Sequence, residues 1–184
     1  MTEKQTQEAG YEVLRRRLAE GAAGFHLPRY RELPDVGLYL EQVVRLVNQL
    51  TAGRPGPLTA SMVSNYVKQK LLPGPIRKIY GRESLAYLVF LAYMKTVVPL
   101  EDIRRMEAIQ KSSYDLIRAY DYFCEEFENL HQVVYGIKTE PAVVGVDVSP
   151  EKGLLRSAIL AVLQKMYLAD YLALMSDEPA PPKA

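Results

Sequence analysis

Residues Thr59–Tyr80 read TASMVSNYVKQKLLPGPIRKIY, and this stretch decides how the rest of the chain is interpreted. Thr59 is a favoured helix N-cap residue, and Val63 and Tyr66 recur at helical spacing as an inward stripe. Two prolines then stop the helix, and only a tight β-like turn fits between the second proline and the final tyrosine. The stretch therefore predicts a helix over about 59–70, followed by a short turn.

The opposite face of this helix is small and polar. Its residues lie at three- and four-residue steps, which places them on one side: Ser61, Ser64, Asn65 and Lys68. A helix that enters the major groove of DNA needs short side chains, and asparagine can form a bidentate pair with adenine. More basic residues follow along the chain: Lys70, Arg77, Lys78 and Arg82. The pattern indicates a DNA-reading helix with phosphate-binding cations beside it, and a solvated charged face is the alternative.

Charge is distributed unevenly along a chain whose formal net charge is only +1. No acidic residue lies between Glu41 and Glu83, whereas acidic residues outnumber basic ones from Ala119 onward. A basic segment of this kind is the expected footprint of a phosphate-binding surface. The charge pattern therefore favours nucleic acid as the partner.

Further helices are predicted on both sides of this segment. Val36 to Leu50 show helical spacing after Asp35, a plausible N-cap residue, and predict a helix over 36–51. Arg82 opens a third helix with few polar positions, which we expect to be buried. Pro99 lies near the first turn of a fourth helix, where its missing N–H is not needed.

Two long helices are predicted in the second half. Ser112 and Ser113 are expected to cap a helix over 114–135, and Ser149 precedes another over about 151–175. Both helices carry apolar residues at the spacing of a helix–helix seam. The seam of 114–135 joins two subunits, packs on 151–175 within one subunit, or does both, since two long helices offer more than one face. The prediction is an all-α chain with an N-terminal segment (1–26), a helix-turn-helix domain (27–110) and a helical accessory region (111–184).

The segment Val63–Pro73 resembles the recognition-helix signature of MerR-type regulators, in which a tyrosine precedes a Gly-Leu-Leu element by four residues. Lys78-Ile79-Tyr80 with Glu83-Ser84-Leu85 is similar to that family's wing and third helix, and Pro99–Ile103 is similar to the start of its fourth. The pattern over 27–110 also resembles a bacterial family described as a domain of unknown function (1836) and as MerR-like. This resemblance implies a winged helix-turn-helix fold and dimerisation through a long helix.

The resemblance also assigns three positions within the recognition helix. It implies that Tyr66 is mostly buried, with a hydroxyl that reaches a phosphate or simply packs in the core. Ser64 stands where MerR-type helices usually carry a DNA-contacting arginine. Lys70 stands where glycine normally ends the helix, so either the lysine has a strained backbone conformation or the helix ends differently.

Other classes of function find little support in the sequence. Cys124 is the only cysteine, which excludes an intrachain disulfide and a cysteine-based zinc site, and we interpret it as a core residue. His26 and His131 lie far apart, and no glycine-rich phosphate loop is present. No apolar run reaches the length of a membrane helix. We therefore expect a cytoplasmic protein that is not an enzyme and that uses no metal or cofactor.

The sequence predicts a DNA-binding transcriptional regulator that acts as a homodimer through helix 114–135. Its recognition helix (about 59–70) would lie in the major groove, with a basic wing at about 75–82. The alternative is a protein-interaction module that has the MerR fold and does not bind DNA. The sequence identifies neither the operator nor an effector.

Overall fold

The computed structural model describes residues 3–52, 54, 56–145 and 149–176, and the chain is all-α there, as predicted. The helices are α1 (Glu3–Ala22), α2 (Leu40–Leu50), α3 (Ala60–Lys68), α4 (Arg82–Met94), α5 (Leu100–Ser113), α6 (Leu116–Val134) and α7 (Pro150–Ser176). A short 3-10 helix lies at Tyr30–Glu32. The described residues contain no strand, but they contain two isolated antiparallel bridges.

The helix predicted over 36–51 begins later than expected. α2 starts at Leu40, and the Gln42 side chain accepts a hydrogen bond from the backbone N–H of the N-cap residue Tyr39 at 2.9 Å. Asp35 is therefore not its cap. Leu38 instead exchanges two backbone hydrogen bonds with Tyr80, each 2.9 Å long. This long-range pairing holds the chain outside a helix and overrides the local helical spacing.

The start of α6 also differs from the prediction. Ser112 and Ser113 belong to the last turn of α5 and do not cap the following helix. Asp115 is the N-cap residue of α6, and its side chain accepts a hydrogen bond from the Arg118 N–H at 3.0 Å. Aspartate satisfies an orphan N–H at a helix start as well as serine does, so the cap lies three residues after the first predicted serine.

α4 lies at the centre of the molecule. Ten of its 13 residues are buried, which confirms the burial expected from its scarcity of polar positions. Residues of α6 and α7 belong to the same hydrophobic core as α4, among them Phe123, Phe127 and Ile159. The predicted seam of α6 thus packs inside one chain, and the predicted parts 27–110 and 111–184 share one core.

The segment before the 3-10 helix is tied to α6 by a partly buried ion pair. Arg29 donates from both terminal nitrogens to the Glu128 carboxylate at 2.8 Å, and the Leu27 N–H donates to the same carboxylate at 2.8 Å. Burial alone would raise the pKa of Glu128, but the hydrogen bonds from Arg29 and Leu27 lower it below its usual range. The contact fixes the start of residues 27–110 onto the accessory region.

α7 has a buried apolar side and an exposed apolar side. Ile159, Val162 and Leu163 are buried in the core. Leucines and a methionine on the other side are between 41% and 57% exposed: Leu154, Leu168, Leu172 and Met175. By length and composition alone, this helix is apolar enough to cross a membrane. The exposed side of α7 is therefore an apolar surface that the described part of the chain leaves uncovered.

Candidate nucleic-acid interface

One asparagine fixes the start of α3 relative to α2. The Asn48 side chain donates from Nδ2 to the Leu58 carbonyl at 2.9 Å, and its Oδ1 accepts from the Leu58 N–H at 2.7 Å. The side-chain amide thus pairs with both backbone groups of a buried residue. We refer to these two hydrogen bonds as the Asn48 clamp. Sequence reasoning did not identify it, because Asn48 and Leu58 are ten residues apart and belong to no local motif.

Thr59, the residue after Leu58, caps α3, as the sequence predicted. Thr59 Oγ1 accepts a hydrogen bond from the Met62 N–H at 3.3 Å. Val63 and Tyr66 face the core and are buried. Burial raises the pKa of Tyr66, so its hydroxyl stays protonated at neutral pH. The structure therefore places Tyr66 as a packing residue of this helix.

The outward face of α3 carries Ser61, Ser64, Asn65 and Lys68, and all four are exposed. The Ser64 hydroxyl donates to the Ala60 carbonyl at 3.0 Å, within the helix. The Asn65 Oδ1 accepts from the Gln69 side chain at 3.3 Å. The serine and asparagine side chains are short and lie close to the helix backbone, so a large partner can approach α3 closely.

The end of α3 is formed by a lysine in the left-handed region. Lys70 has φ +60°, its N–H bonds the Val67 carbonyl at 3.0 Å, and the Leu71 N–H bonds the Tyr66 carbonyl at 2.9 Å. This is the Schellman arrangement, in which glycine is the usual residue. The helix therefore ends as glycine would end it, and Lys70 takes the strained conformation that the sequence raised as one of two alternatives.

A tight turn follows, and two cations occupy its tip. Ile76 and Ile79 exchange backbone hydrogen bonds of 3.0 and 2.9 Å, and Arg77 and Lys78 between them have φ of +52° and +68°. Positive φ at both central residues is the geometry of a type I′ turn. The β-like turn predicted between Pro75 and Tyr80 is thus present. The Leu38–Tyr80 bridge anchors its far end.

Gly37 leaves space for this turn. A Cβ built on Gly37 would overlap Ile79 Cγ2, so a larger residue would require the Ile79 side chain, or the turn that carries it, to shift. The tip of the turn is exposed, including Arg77, Lys78 and Ile79. The extended segment before α2 therefore sets the position of the basic turn.

Four exposed cations remain available around α3 and the turn. In the part of the chain that the structure describes, none of them forms an ion pair: Lys68, Lys70, Arg77 and Lys78. Arg29, Arg54 and Arg156 are each paired with a carboxylate. The α3 end and the turn therefore present four cations without an ion pair within a stretch of eleven residues.

Arg82, also predicted as a site residue, is placed differently. It is half-buried, its Nη2 lies 3.4 Å from Asp35 Oδ1, and its guanidinium lies 5.7 Å from the centre of the Tyr30 ring. It therefore joins the start of α4 to the segment before α2. Arg104 of α5, which sequence reasoning missed, donates to the Gln69 carbonyl at 2.7 Å, and its other terminal nitrogen lies 3.3 Å from the Glu101 carboxylate. No local signal marks this contact, because the partners are 35 residues apart.

Comparison with known proteins gives a family and no established activity. Among the described residues, no group of three His, Cys, Asp or Glu side chains could hold a metal ion. No curated protein and no solved structure matches the chain. The family model of a domain of unknown function, DUF1836, matches residues 28–123, which is more than half of the chain and includes α2, α3, the basic turn, α4 and α5. The chain belongs to the DUF1836 family.

Proposed function

We propose that this protein is a cytoplasmic DNA-binding transcriptional regulator with a MerR-like winged helix-turn-helix, and that it has no enzymatic activity. In this proposal α2 and α3 form the helix-turn-helix, α3 lies in the major groove, and the turn at 76–79 is the wing. The observation that carries the proposal is the group of four exposed, unpaired cations: Lys68, Lys70, Arg77 and Lys78. They flank a helix face with short polar side chains, which is the surface that a groove requires.

The contacts divide into two kinds. Lys68 and Lys70 at the end of α3, and Arg77 and Lys78 on the turn, supply phosphate contacts, which position the protein and are not sequence-specific. Ser61, Ser64 and Asn65 face the base edges, and Asn65 is suited to adenine. The hydroxyl of Ser64 and the amide of Asn65 already have partners within α3, so binding would require them to exchange hydrogen bonds.

The test is a fluorescence anisotropy titration of the full chain with double-stranded DNA at several salt concentrations, followed by selection from genomic fragments. We expect log Kd to depend steeply on log salt. Lys68→Ala and Arg77→Ala should each weaken binding to all sequences and reduce that slope by about one. Asn65→Ala should weaken only binding to the selected sequence.

Lys138→Ala is the matched control, because Lys138 is an exposed lysine in the acidic half of the chain. The affinity of Lys138→Ala for DNA and the salt dependence of its binding should equal those of the wild type. The proposal is wrong if the wild type does not bind DNA at low salt. It is also wrong if the Lys68 and Arg77 variants bind as tightly as the Lys138 control.

We propose that the homodimer forms through the outer face of α7. The seam residues of α6, through which the sequence predicted dimerisation, are occupied within one chain. On α7, exposed Leu154, Ala161, Leu168 and Met175 recur every seven residues, which is the spacing by which two similar helices pair. Such a dimer would need to present two α3 helices about one turn of DNA (~34 Å) apart.

Sedimentation equilibrium tests this dimer. Leu168→Glu combined with Leu172→Glu should convert the protein to monomers without changing its circular dichroism, because both side chains are more than half exposed. Ile117→Glu on α6, also exposed, should leave the dimer intact. A wild-type monomer at micromolar concentration would contradict the proposal, and so would a dimer that survives both α7 substitutions.

The second candidate is a protein-interaction module that has this fold and does not bind DNA. It is favoured by the local hydrogen bonds of Ser64 and Asn65, which occupy groups that a base reader would use. In that case the anisotropy titration gives no binding at low salt. A defined protein partner would instead be lost on Lys68→Ala or Arg77→Ala.

A further inference from the structure

A cavity of about 440 Å³ lies between α4, α5, α6 and α7. Its inner wall is formed by buried apolar side chains, including Leu71, Leu91, Ile103 and Phe123. Protein interiors are normally packed without voids larger than a water molecule. Apolar cavities of a few hundred Å³ are the size at which small molecules bind.

The walls of the cavity are mainly apolar and aromatic. Tyr87 and Phe90 of α4 face it from one side, and Tyr120 and Phe123 of α6 from another. Phe90 and Phe123 contact each other edge to face, with ring centres 5.2 Å apart. Aromatic side chains that line an apolar site favour an occupant that is itself aromatic and apolar.

The charged side chains that line the cavity are four carboxylates and two cations: Glu107, Asp121, Glu125, Glu151, Arg118 and Lys152. Glu107 is paired with Lys111 at 2.6 Å, and the Lys111 ammonium lies 5.5 Å from the centre of the Tyr87 ring. Asp121 accepts a hydrogen bond from the Tyr30 N–H at 2.6 Å. Because the walls are mainly apolar and the charged lining residues are of both signs, the cavity favours an uncharged molecule over an ion.

The cavity also contacts the end of the candidate DNA-binding helix. Leu71, which lines it, follows Lys70 directly and closes α3 through its N–H. α5 supplies Ile103 to the cavity wall, and its next residue, Arg104, holds the Gln69 carbonyl. A molecule that moved α5 or Leu71 would therefore move the last turn of α3.

We propose that this cavity binds an uncharged, mainly aromatic small molecule, and that its occupancy changes the C-terminal end of α3. Four helices line the site, and its volume matches a small molecule and not a second protein helix, which is about 10 Å across. The regulatory half of this inference rests on the proposed function. The claim that the cavity binds a small molecule does not rest on the proposed function, because it concerns the cavity alone.

The test uses Nile red, an uncharged aromatic dye whose emission increases in apolar surroundings, with the full chain and no DNA. We expect saturable binding of one dye per chain. Ala119→Phe, which fills the cavity, should weaken it about tenfold or more, or by roughly 1.4 kcal/mol. Ala108→Phe on the exposed side of α5 adds the same ring outside the cavity and should bind as the wild type does.

Ile109→Asp provides a second variant at the mouth of the cavity, where Ile109 is partly exposed and the fold is not at risk. It should also weaken dye binding. Amide hydrogen exchange of the peptide covering 66–72 should slow when the dye saturates the wild type and stay unchanged in Ala119→Phe. If the wild type and Ala119→Phe bind the dye equally, the cavity is not the binding site. If amide exchange of 66–72 is unchanged in the dye-saturated wild type, occupancy of the cavity does not change the end of α3. Neither result depends on whether DNA binds.

Discussion

His131 of α6 is buried between two aromatic rings. Its imidazole stacks on Phe25 and on Tyr135, with ring centres 4.3 and 4.4 Å apart. Burial lowers the pKa of His131 to about 4; Arg54 also lowers it, while Asp170 and Glu128 act in the opposite direction. The folded chain therefore holds a neutral histidine at a pH where the unfolded chain binds a proton.

This histidine makes the stability of the protein depend on pH. The unfolded histidine titrates near 6.5, so lowering the pH from 7 to 5 protonates the unfolded chain but not the folded one. We expect the free energy of unfolding in urea to fall by about 2 kcal/mol over this range. His131→Phe should remove most of that fall, and His26→Gln, at an exposed histidine, should keep it. An equal fall in the His131→Phe variant would contradict the assignment.

At the scale of single residues, the sequence was informative where a residue type has one local role. Thr59 was predicted as a cap and is one. Cys124 was predicted as a core residue and is buried, and burial raises the pKa of its thiol to about 12. Asp35 failed as a cap because its segment pairs with the turn at Tyr80, a contact that no local pattern contains.

At the scale of elements, the basic turn depends on a close approach by Gly37. Gly37→Ala should displace Ile79 and lower the free energy of unfolding by about 1–3 kcal/mol, as overpacking typically does. Ile79→Ala in the same chain removes the overlapping Cγ2 and should restore most of the loss. Urea unfolding of the two single variants and the double variant measures this coupling.

The Gly37 variant also connects the turn to the candidate interface. Arg77 and Lys78 are carried by the displaced turn, so Gly37→Ala should weaken DNA binding if the proposed function holds. A Gly37→Ala protein as stable as the wild type would show that the turn is free to move. In that case the position of the two cations is not fixed by the extended segment.

Most helices could be predicted from spacing and from prolines, whereas the junctions between them could not. The α5–α6 junction was misplaced because two serines and one aspartate compete as caps within four residues, and only the path of the chain decides between them. The residues that hold α3 were missed for a related reason. Asn48 and Arg104 bond to carbonyls ten and 35 residues away, and sequence spacing carries no information on such pairs.

At the scale of the whole molecule, the DUF1836 match ends at residue 123, inside α6, whereas the hydrophobic core continues to Met166 of α7. A chain that ends at Ser149 should therefore lose cooperative thermal unfolding, because the core side chains that α7 covers would be exposed to water. A chain that ends at Ser176 retains all of α7 and is the control. Circular dichroism on heating distinguishes them, and a cooperative transition in the shorter chain would contradict this prediction.

The seven-residue spacing of the apolar residues in α6 and α7 did not determine whether α6 packs against a second copy or against α7. The apolar stripe of α6 is the same whether its partner is a second copy or α7. In the structure α7 supplies that partner, together with α4. The remaining apolar stripe of α7 is the surface on which the proposed dimer would form.

The Asn48 clamp has a consequence for engineering. Its two hydrogen bonds close the connection between α2 and α3 from inside, so the position of α3 does not depend on the outer residues of that connection. Gly56 lies there, after Arg54 and its ion pair with Asp170, and before the clamped Leu58. A fluorescent label carried by a short insertion at Gly56 therefore lies next to α3 without replacing any of its contacts, and would report the binding of DNA if the proposed function holds.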